Sequence, residues 1–186
     1  IGAIKLLIEI GIFFYPTYFT RFQNSWSFCL VLVVSFVFSV VKSWPKHKFE
    51  YIIKNEQTVF IDDYAHHPTE INAVHQAVRE LYPNQKVLAV FQPHLFSRTR
   101  DFADEFAQSL SAFDQVLLLD IYPARELPME GVTSSWLMSK MTNPNVQLVE
   151  KADLISAIKA SGYKIIVTIG AGDIGELVKS IKESLL

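Results

Sequence analysis

A chain of 186 residues, half of them apolar and with a formal charge of −2, can build one medium domain or a smaller domain with an appendage. That balance excludes wholesale disorder, and it argues against a nucleic-acid-binding domain, which carries a basic face. The single cysteine, Cys29, rules out an intramolecular disulfide; with no Cys/His spacing suited to zinc, it fits a cytoplasmic location.

The chain opens on Ile1 rather than methionine, which reads as a start inside a longer protein. Residues 1–12 look like the tail of an amphipathic helix ending near Gly11. Residues 22–41 then carry no charge, and from Phe28 onward they are almost wholly Leu, Val, Phe and Ser. Three readings stay open for this run. It is long enough for a membrane span, with Lys42, Lys46 and Lys48 marking the cytoplasmic side. Its β-branched and aromatic content also suits a buried segment that needs a missing partner surface. A stretch outside its native reading frame is the third. The composition shifts at Ser43-Trp44-Pro45-Lys46, so the domain boundary falls there, with 1–45 as an apolar segment and 46–186 as the folded domain.

From residue 49 the pattern is regular. Residues 49–53 and 58–61 are strand-like, separated by the turn-forming Lys54-Asn55-Glu56. A helix follows to Leu81, with Pro68 at its first position, Glu70 in its first turn and Ile71, Val74, Val78 and Leu81 on one face. Residues 87–91 form a buried strand, and 99–110 a helix with Phe102, Phe106 and Leu110 aligned. Residues 116–119, 146–149 and 165–169 are further strands. Helices are expected at 134–141, capped by Thr133 or Ser134, at 152–160, stopped by Gly162, and at 174–185. This alternation predicts an α/β fold with a mostly parallel sheet.

The chemistry lies just after the strands. The chain leaves them as Asp62-Asp63-Tyr64, Gln92-Pro93-His94, Asp120 and Gly170-Ala171-Gly172-Asp173. The opposite ends, such as Asn84-Gln85-Lys86 and Asn143-Pro144-Asn145, are ordinary turns. In a parallel sheet the unusual residues therefore gather on the carboxyl rim, where such sheets bind ligands.

Each motif has a plainer alternative. His66-His67 with Asp62 or Asp63 could suggest a metal, but adjacent rings seldom face one ion, so one ligand-contacting and one structural histidine is preferred. One aspartate can cap the following helix, leaving the other for a ribose or an imidazole. Arg98 and Arg100 flank the expected helix start, where positive charge opposes the macrodipole unless an anion is bound. Pairing with Asp101 or Asp104 is the alternative. For Arg100 the two readings stand level; for Arg98, one turn from His94, the anion is preferred. The loop Asp120-Ile121-Tyr122-Pro123-Ala124-Arg125-Glu126 has the shape of a functional loop, although Tyr122 can equally cover core. Gly170 and Gly172 allow close backbone approach at a helix amino terminus, with Asp173 as a plain cap as the competing reading. No G-x-x-x-x-G-K-[ST] phosphate loop occurs.

Taken together and in order, Asp62-Asp63-Tyr64-Ala65-His66-His67-Pro68-Thr69-Glu70-Ile71, Phe91-Gln92-Pro93-His94 with Ser97-Arg98-Thr99-Arg100-Asp101, Leu118 to Glu126 and Gly170 to Ile174 resemble the carboxy-terminal domain of the bacterial Mur ligases. The resemblance covers about residues 49–186. Tyr64, Glu70 and the Ile-Tyr-Pro-Ala-Arg-Glu run fit the branch that joins L-alanine to UDP-N-acetylmuramate better than the tripeptide-recycling branch. It implies a three-layer, Rossmann-like open sheet with helices on both faces, in a cytoplasmic ATP- and Mg²⁺-dependent amide ligase of peptidoglycan synthesis. An acyl phosphate on the muramic acid carboxylate would be attacked by the amine of L-alanine. Tyr64, His66, His94, Arg98 and Arg100 would meet substrate, and Asp62, Asp63, His67, Gly170, Gly172 and Asp173 the nucleotide. The UDP-sugar and central ATPase domains, with the main ATP and Mg²⁺ contacts, are absent, so the chain is expected to be an inactive fragment. The sequence departs from the pattern at Lys46-His47-Lys48-Phe49-Glu50, where the family has Lys-Arg-Arg-Phe-Glu-like residues, and at Leu95, where some members carry arginine. A membrane-tethered module that binds a nucleotide or peptide on the same rim is the alternative.

Overall fold

The structure, a computed structural model, describes residues 49–186. The apolar run at 22–41, the helix tail before it and the boundary at 43–46 lie outside the described residues. No described helix is long and apolar enough to cross a membrane.

Six strands form one sheet: β1 (Glu50–Lys54), β2 (Val59–Asp63), β3 (Val87–Phe91), β4 (Gln115–Leu118), β5 (Val146–Leu148) and β6 (Ile165–Ile169). Their order is β1-β2-β6-β3-β4-β5, and every pairing is parallel except that of β1 with β2. The central strands read as largely apolar runs because both faces are covered. Alternate residues supply the two layers: Val87, Ala89 and Phe91 point to one core, Leu88 and Val90 to the other.

The helices are α1 (Pro68–Leu81), α2 (Phe96–Asp101), α3 (Ala103–Ser111), α4 (Ser134–Ser139), α5 (Leu154–Ser161) and α6 (Ile174–Leu185). Ile71, Val74 and Val78 of α1, Phe106 and Leu110 of α3 and Leu137 of α4 cover one face of the sheet. Leu154 and Ile158 of α5 with Ile174 and Ile181 of α6 cover the other. The expected three-layer, mostly parallel architecture is therefore the observed one. It also sets a switch point. The chain leaves β2 and β3 toward the first face and leaves β6, which lies between them, toward the second. The connections diverge there and open a crevice at the carboxyl rim.

Two elements differ from expectation in ways that bear on the rim. Strand β2 runs on through Asp63, so both aspartates are strand residues and their side chains point to opposite faces. The single helix expected over 99–110 is two helices, broken at Phe102 (φ −120°, ψ 25°) and beginning at Phe96. The break lets the Phe102 ring meet the His67 imidazole edge-on, 4.6 Å between centroids.

Phe106 is fully buried against Phe91, with ring centroids 5.6 Å apart. Phe106→Ala is expected to lower the unfolding free energy by about 3–5 kcal/mol in urea titration. The exposed substitution Glu80→Ala should change it by less than about 0.5 kcal/mol.

Candidate functional site

The four turns converge. They leave adjacent strands in the order β2, β6, β3, β4, and side chains and backbone bonds join each to the next. The β6 turn meets the β2 strand through Gly170 N–H, which donates to the Asp63 carbonyl at 3.1 Å. The turns after β3 and β4 are joined by backbone bonds beyond the sheet itself: Tyr122 N–H donates to the Pro93 carbonyl at 2.8 Å and Leu95 N–H to the Tyr122 carbonyl at 2.9 Å.

The link between β3 and β6 is Gln92, a residue whose role the sequence reading did not assign. It is 1% exposed, and both ends of its amide are used. Nε2 donates to Asp173 Oδ1 at 2.8 Å, while Oε1 accepts the Ile174 N–H at 3.0 Å. Gln92 therefore caps α6 from a neighbouring strand. Asp173 occupies the cap position but its side chain does not cap; it turns to Gln92 and to Lys151 of the β5–α5 loop. The glycines serve this packing. Gly170 has φ 152°, and a Cβ there would lie 2.9 Å from the Gln92 carbonyl oxygen. A Cβ on Gly172 would lie 2.4 Å from Gln92 Oε1 and 2.8 Å from Tyr122 Cβ. At the start of α6, Gln92 thus takes the Ile174 N–H and the Asp173 carboxylate stands beside it.

Burial alone would raise the Asp173 carboxyl, but hydrogen bonds from Lys151 and Gln92 and the ammonium charge outweigh it and hold it below its ordinary 3.8. Asp62 Oδ1 accepts from Thr168 Oγ1 at 2.5 Å. Asp63 is 5% exposed and accepts the backbone N–H of Ala65 at 2.8 Å and of Phe49 at 2.6 Å. Neither aspartate caps α1. His67 does, its Nδ1 accepting the Thr69 N–H at 3.4 Å. The same helix start is closed by Glu70, which accepts the His66 N–H at 3.0 Å, much as a capping box reaches back.

At the centre of the rim stand Tyr64, His66, His94 and Arg98. Tyr64 is 40% exposed and meets the His66 ring edge-on at 5.5 Å. His66 and His94 have ring centroids 6.4 Å apart, and His94 lies 5.6 Å from Tyr122. Arg98 Nη1 donates to His94 Nδ1 at 3.3 Å. Burial, the Arg98 guanidinium and the neighbouring His66 push the His94 imidazole below its ordinary value, with Glu126 opposing them. These neighbours disfavour the charged imidazole of His94 and set a guanidinium beside it.

Arg98 and Arg100 do not stand at a helix start, because α2 begins earlier than expected and both lie toward its carboxyl end, where cations are favoured by the macrodipole. Arg100 is paired with Asp101 at 2.7 Å. Helix α2 has no cap of its own, since its N-cap residue Leu95 (φ 74°) offers no acceptor. Glu126 reaches across from the β4 loop instead, accepting from Ser97 N–H at 2.9 Å and from Ser97 Oγ–H. Those bonds hold its carboxyl below the usual range. Glu126 was visible only as a charged residue in a shaped loop, and Lys151 carried no signal at all. Asp120 stays exposed.

A groove of about 530 Å³ opens beside this centre, with Asp62, Tyr64, Gly170 and Gly172 on one side and Val178 and Lys182 of α6 on another. Among the described residues no group of three or more His, Cys, Asp or Glu side chains could hold a metal ion.

Residues 47–172 match the family described as Mur ligase, glutamate ligase domain. The UDP-N-acetylmuramate–L-alanine ligase of Flavobacterium johnsoniae is 74% identical over 140 residues, covering 75% of this chain and 31% of that protein. The ligase of the same name from Flavobacterium psychrophilum is 67% identical over 140 residues, again 75% of this chain and 31% of that protein. A solved structure of the UDP-N-acetylmuramate-alanine ligase from Thermotoga maritima matches with a TM-score of 0.60 at 22% identity, covering 88% of this chain and 38% of that one; this is a likeness of fold. This chain thus spans about a third of the length of the curated relatives it matches.

Replacing Gln92 by the similarly sized leucine leaves the Ile174 N–H without its acceptor and Asp173 without one donor. Gln92→Leu should cost about 1–3 kcal/mol in chemical unfolding. Because the native carboxyl of Asp173 is depressed, its contribution to stability is full above 3.8 and is lost as pH falls through its lower native value. In Lys151→Met that loss should begin at higher pH, read as an upward move of the Asp173 carboxyl in ¹³C NMR titration.

Proposed function

We propose, proceeding from the premise that this chain belongs to the Mur ligase family, that it is the carboxy-terminal domain of an ATP-dependent ligase joining L-alanine to UDP-N-acetylmuramate in cytoplasmic peptidoglycan synthesis. The observation that carries this reading is the convergence of the Tyr64–His66, His94–Arg98 and Tyr122–Glu126 turns on one rim beside the groove. A cation, a neutral imidazole and a second imidazole within one small patch suit a small zwitterion better than a purely apolar ligand. In this role the Arg98 guanidinium and His94 bind the carboxylate of the amino acid, and Tyr64 and His66 face its amine or the sugar nucleotide.

For ATP, the fit is partial. The groove and the Asp62 carboxylate that lines it, held by Thr168, suit a nucleoside and its ribose hydroxyls, whereas both oxygens of Asp63 accept backbone N–H groups, from Ala65 and from Phe49. His67, spent on capping α1, has an indirect role. The start of α6, with Gly170, Gly172 and Asp173, shapes the groove wall. The metal and phosphates are assigned to the central domain that the resemblance implies, in the part of the ligases that this chain does not match. The chain supplies the wall that closes over the acyl phosphate, orients the amine and excludes water, to which an acyl phosphate is easily lost.

The chain alone is expected to give no alanine-dependent ATP hydrolysis. Grafted in place of the matching part of the Flavobacterium johnsoniae ligase, it should support phosphate release that requires both L-alanine and UDP-N-acetylmuramate. Release by the chain alone, or a folded graft with no such activity, would refute the reading. In the graft, Arg98→Ala should lower kcat/KM for L-alanine by roughly 100-fold, the scale of losing one charge-stabilising donor. Arg100→Ala should change it by less than about threefold, as for an exposed ion pair.

A further inference from the structure

The two imidazoles at the centre of the rim carry their protons on different nitrogens, and their partners decide which. His66 Nδ1 lies 3.0 Å from the Tyr64 carbonyl oxygen and 3.5 Å from a Glu70 carboxylate oxygen. Both partners only accept, so Nδ1 must carry the hydrogen, and neutral His66 leaves Nε2 as a bare lone pair. His94 is the reverse. Its Nδ1 lies 3.3 Å from Arg98 Nη1, a group that only donates. Accepting from that donor leaves the proton of neutral His94 on Nε2. Two rings 6.4 Å apart therefore differ in kind: one offers an acceptor, the other a donor.

From this asymmetry we infer that His66 Nε2 takes the proton of the incoming amino group, while His94 Nε2–H and the Arg98 guanidinium hold the carboxylate of the same amino acid. The inference rests on the ligase reading above and assigns the roles within it. An ammonium has no lone pair and cannot attack. Transfer of one N–H proton to His66 Nε2 leaves a free amine and an imidazolium. The amine lone pair then forms the C–N bond at the carbonyl of an acyl phosphate. The C–O bond to phosphate breaks, and its electron pair leaves with the phosphate, which also takes the second proton shed by nitrogen as the amide forms. His94 cannot serve as this base, because its acceptor nitrogen is already occupied by Arg98. Glu70 is a positioning residue. Its carboxylate holds the His66 backbone N–H at 3.0 Å, lies beside Nδ1, and offsets the charge of the imidazolium.

The test is ¹⁵N NMR of the imidazoles in the full 186-residue chain near neutral pH, which reads protonation at each nitrogen directly. His66 should show Nδ1 protonated and Nε2 bare, and His94 the opposite. Glu70→Ala, which leaves the Tyr64 carbonyl 3.0 Å from Nδ1, should keep that tautomer but weaken the His66 response to L-alanine, and Glu70→Gln, whose amide oxygen still accepts the backbone N–H, should restore it. L-Alanine added to the chain should move the His66 Nε2 signal together with His94 and Arg98. Propionate, the same carboxylate without the amine, should move only His94 and Arg98. The same tautomer in both rings, or a His66 response as large to propionate as to L-alanine, overturns the base assignment and leaves the ligase reading intact. Opposite tautomers with no response of any of the three groups to either compound removes the amino-acid site itself, and the inference falls with it.

Discussion

One buried amide holds the carboxyl rim together. Gln92 stands at the end of β3, reaches across the switch point, and satisfies both the first N–H of α6 and the carboxylate of Asp173. The geometry is unforgiving, because an unpaired polar group at this depth is costly and the neighbouring glycines leave no space for a shift. Through Asp173 the same network reaches Lys151 on the far loop, so five of the six strands contribute residues to one connected rim. The position of Tyr122 follows from it, since Gly172 packs on the Tyr122 side chain, and Tyr122 in turn is bonded to the backbone on both sides of His94.

A second set of bonds fixes orientation rather than position. Glu126 caps α2 from outside, which a helix of six residues beginning at a residue with φ 74° cannot do for itself. Arg98 follows Ser97 directly and inherits that anchoring. On the other side of the centre, Glu70 holds both the backbone and the ring of His66. Carboxylates thus anchor the segments that carry the cation and the imidazole. Such backing keeps side chains in one geometry, and preorganisation of this kind lowers the cost of binding and of proton transfer.

The division of labour within the fold is sharp. The amino-terminal rim, with Arg79, Asp114 and the N–H of Val87 in one bonded cluster, ties α1 to two strands and has the look of a structural joint. Tyr64, His66, His94 and Arg98 collect at the other rim, beside the groove. Edge strands are short or antiparallel, with β5 only three residues long. The sheet therefore ends without a long unpaired parallel edge.

Much of this was legible in the chain of letters. Apolar runs of four to five residues alternating with 3.6-residue periodicity gave the strands, the helices and the parallel sheet, because burial on both faces demands that pattern. Parallel connectivity then put Asp62, His94, Asp120 and Gly170 on one rim without any coordinates. Local pattern did not reveal which bonds those residues make, since each partner is distant in sequence: Gln92 with Asp173 and Ile174, Ser97 with Glu126, Lys151 with Asp173. The helix break at Phe102 and the early start of α2 were equally hidden, and with them the true setting of Arg98. Short-range periodicity determined the order of elements from the chain alone; the capping partners, the neighbours of His66 and His94 and the shape of the groove were decided only by packing, where groups tens of residues apart compete for the same few buried hydrogen bonds.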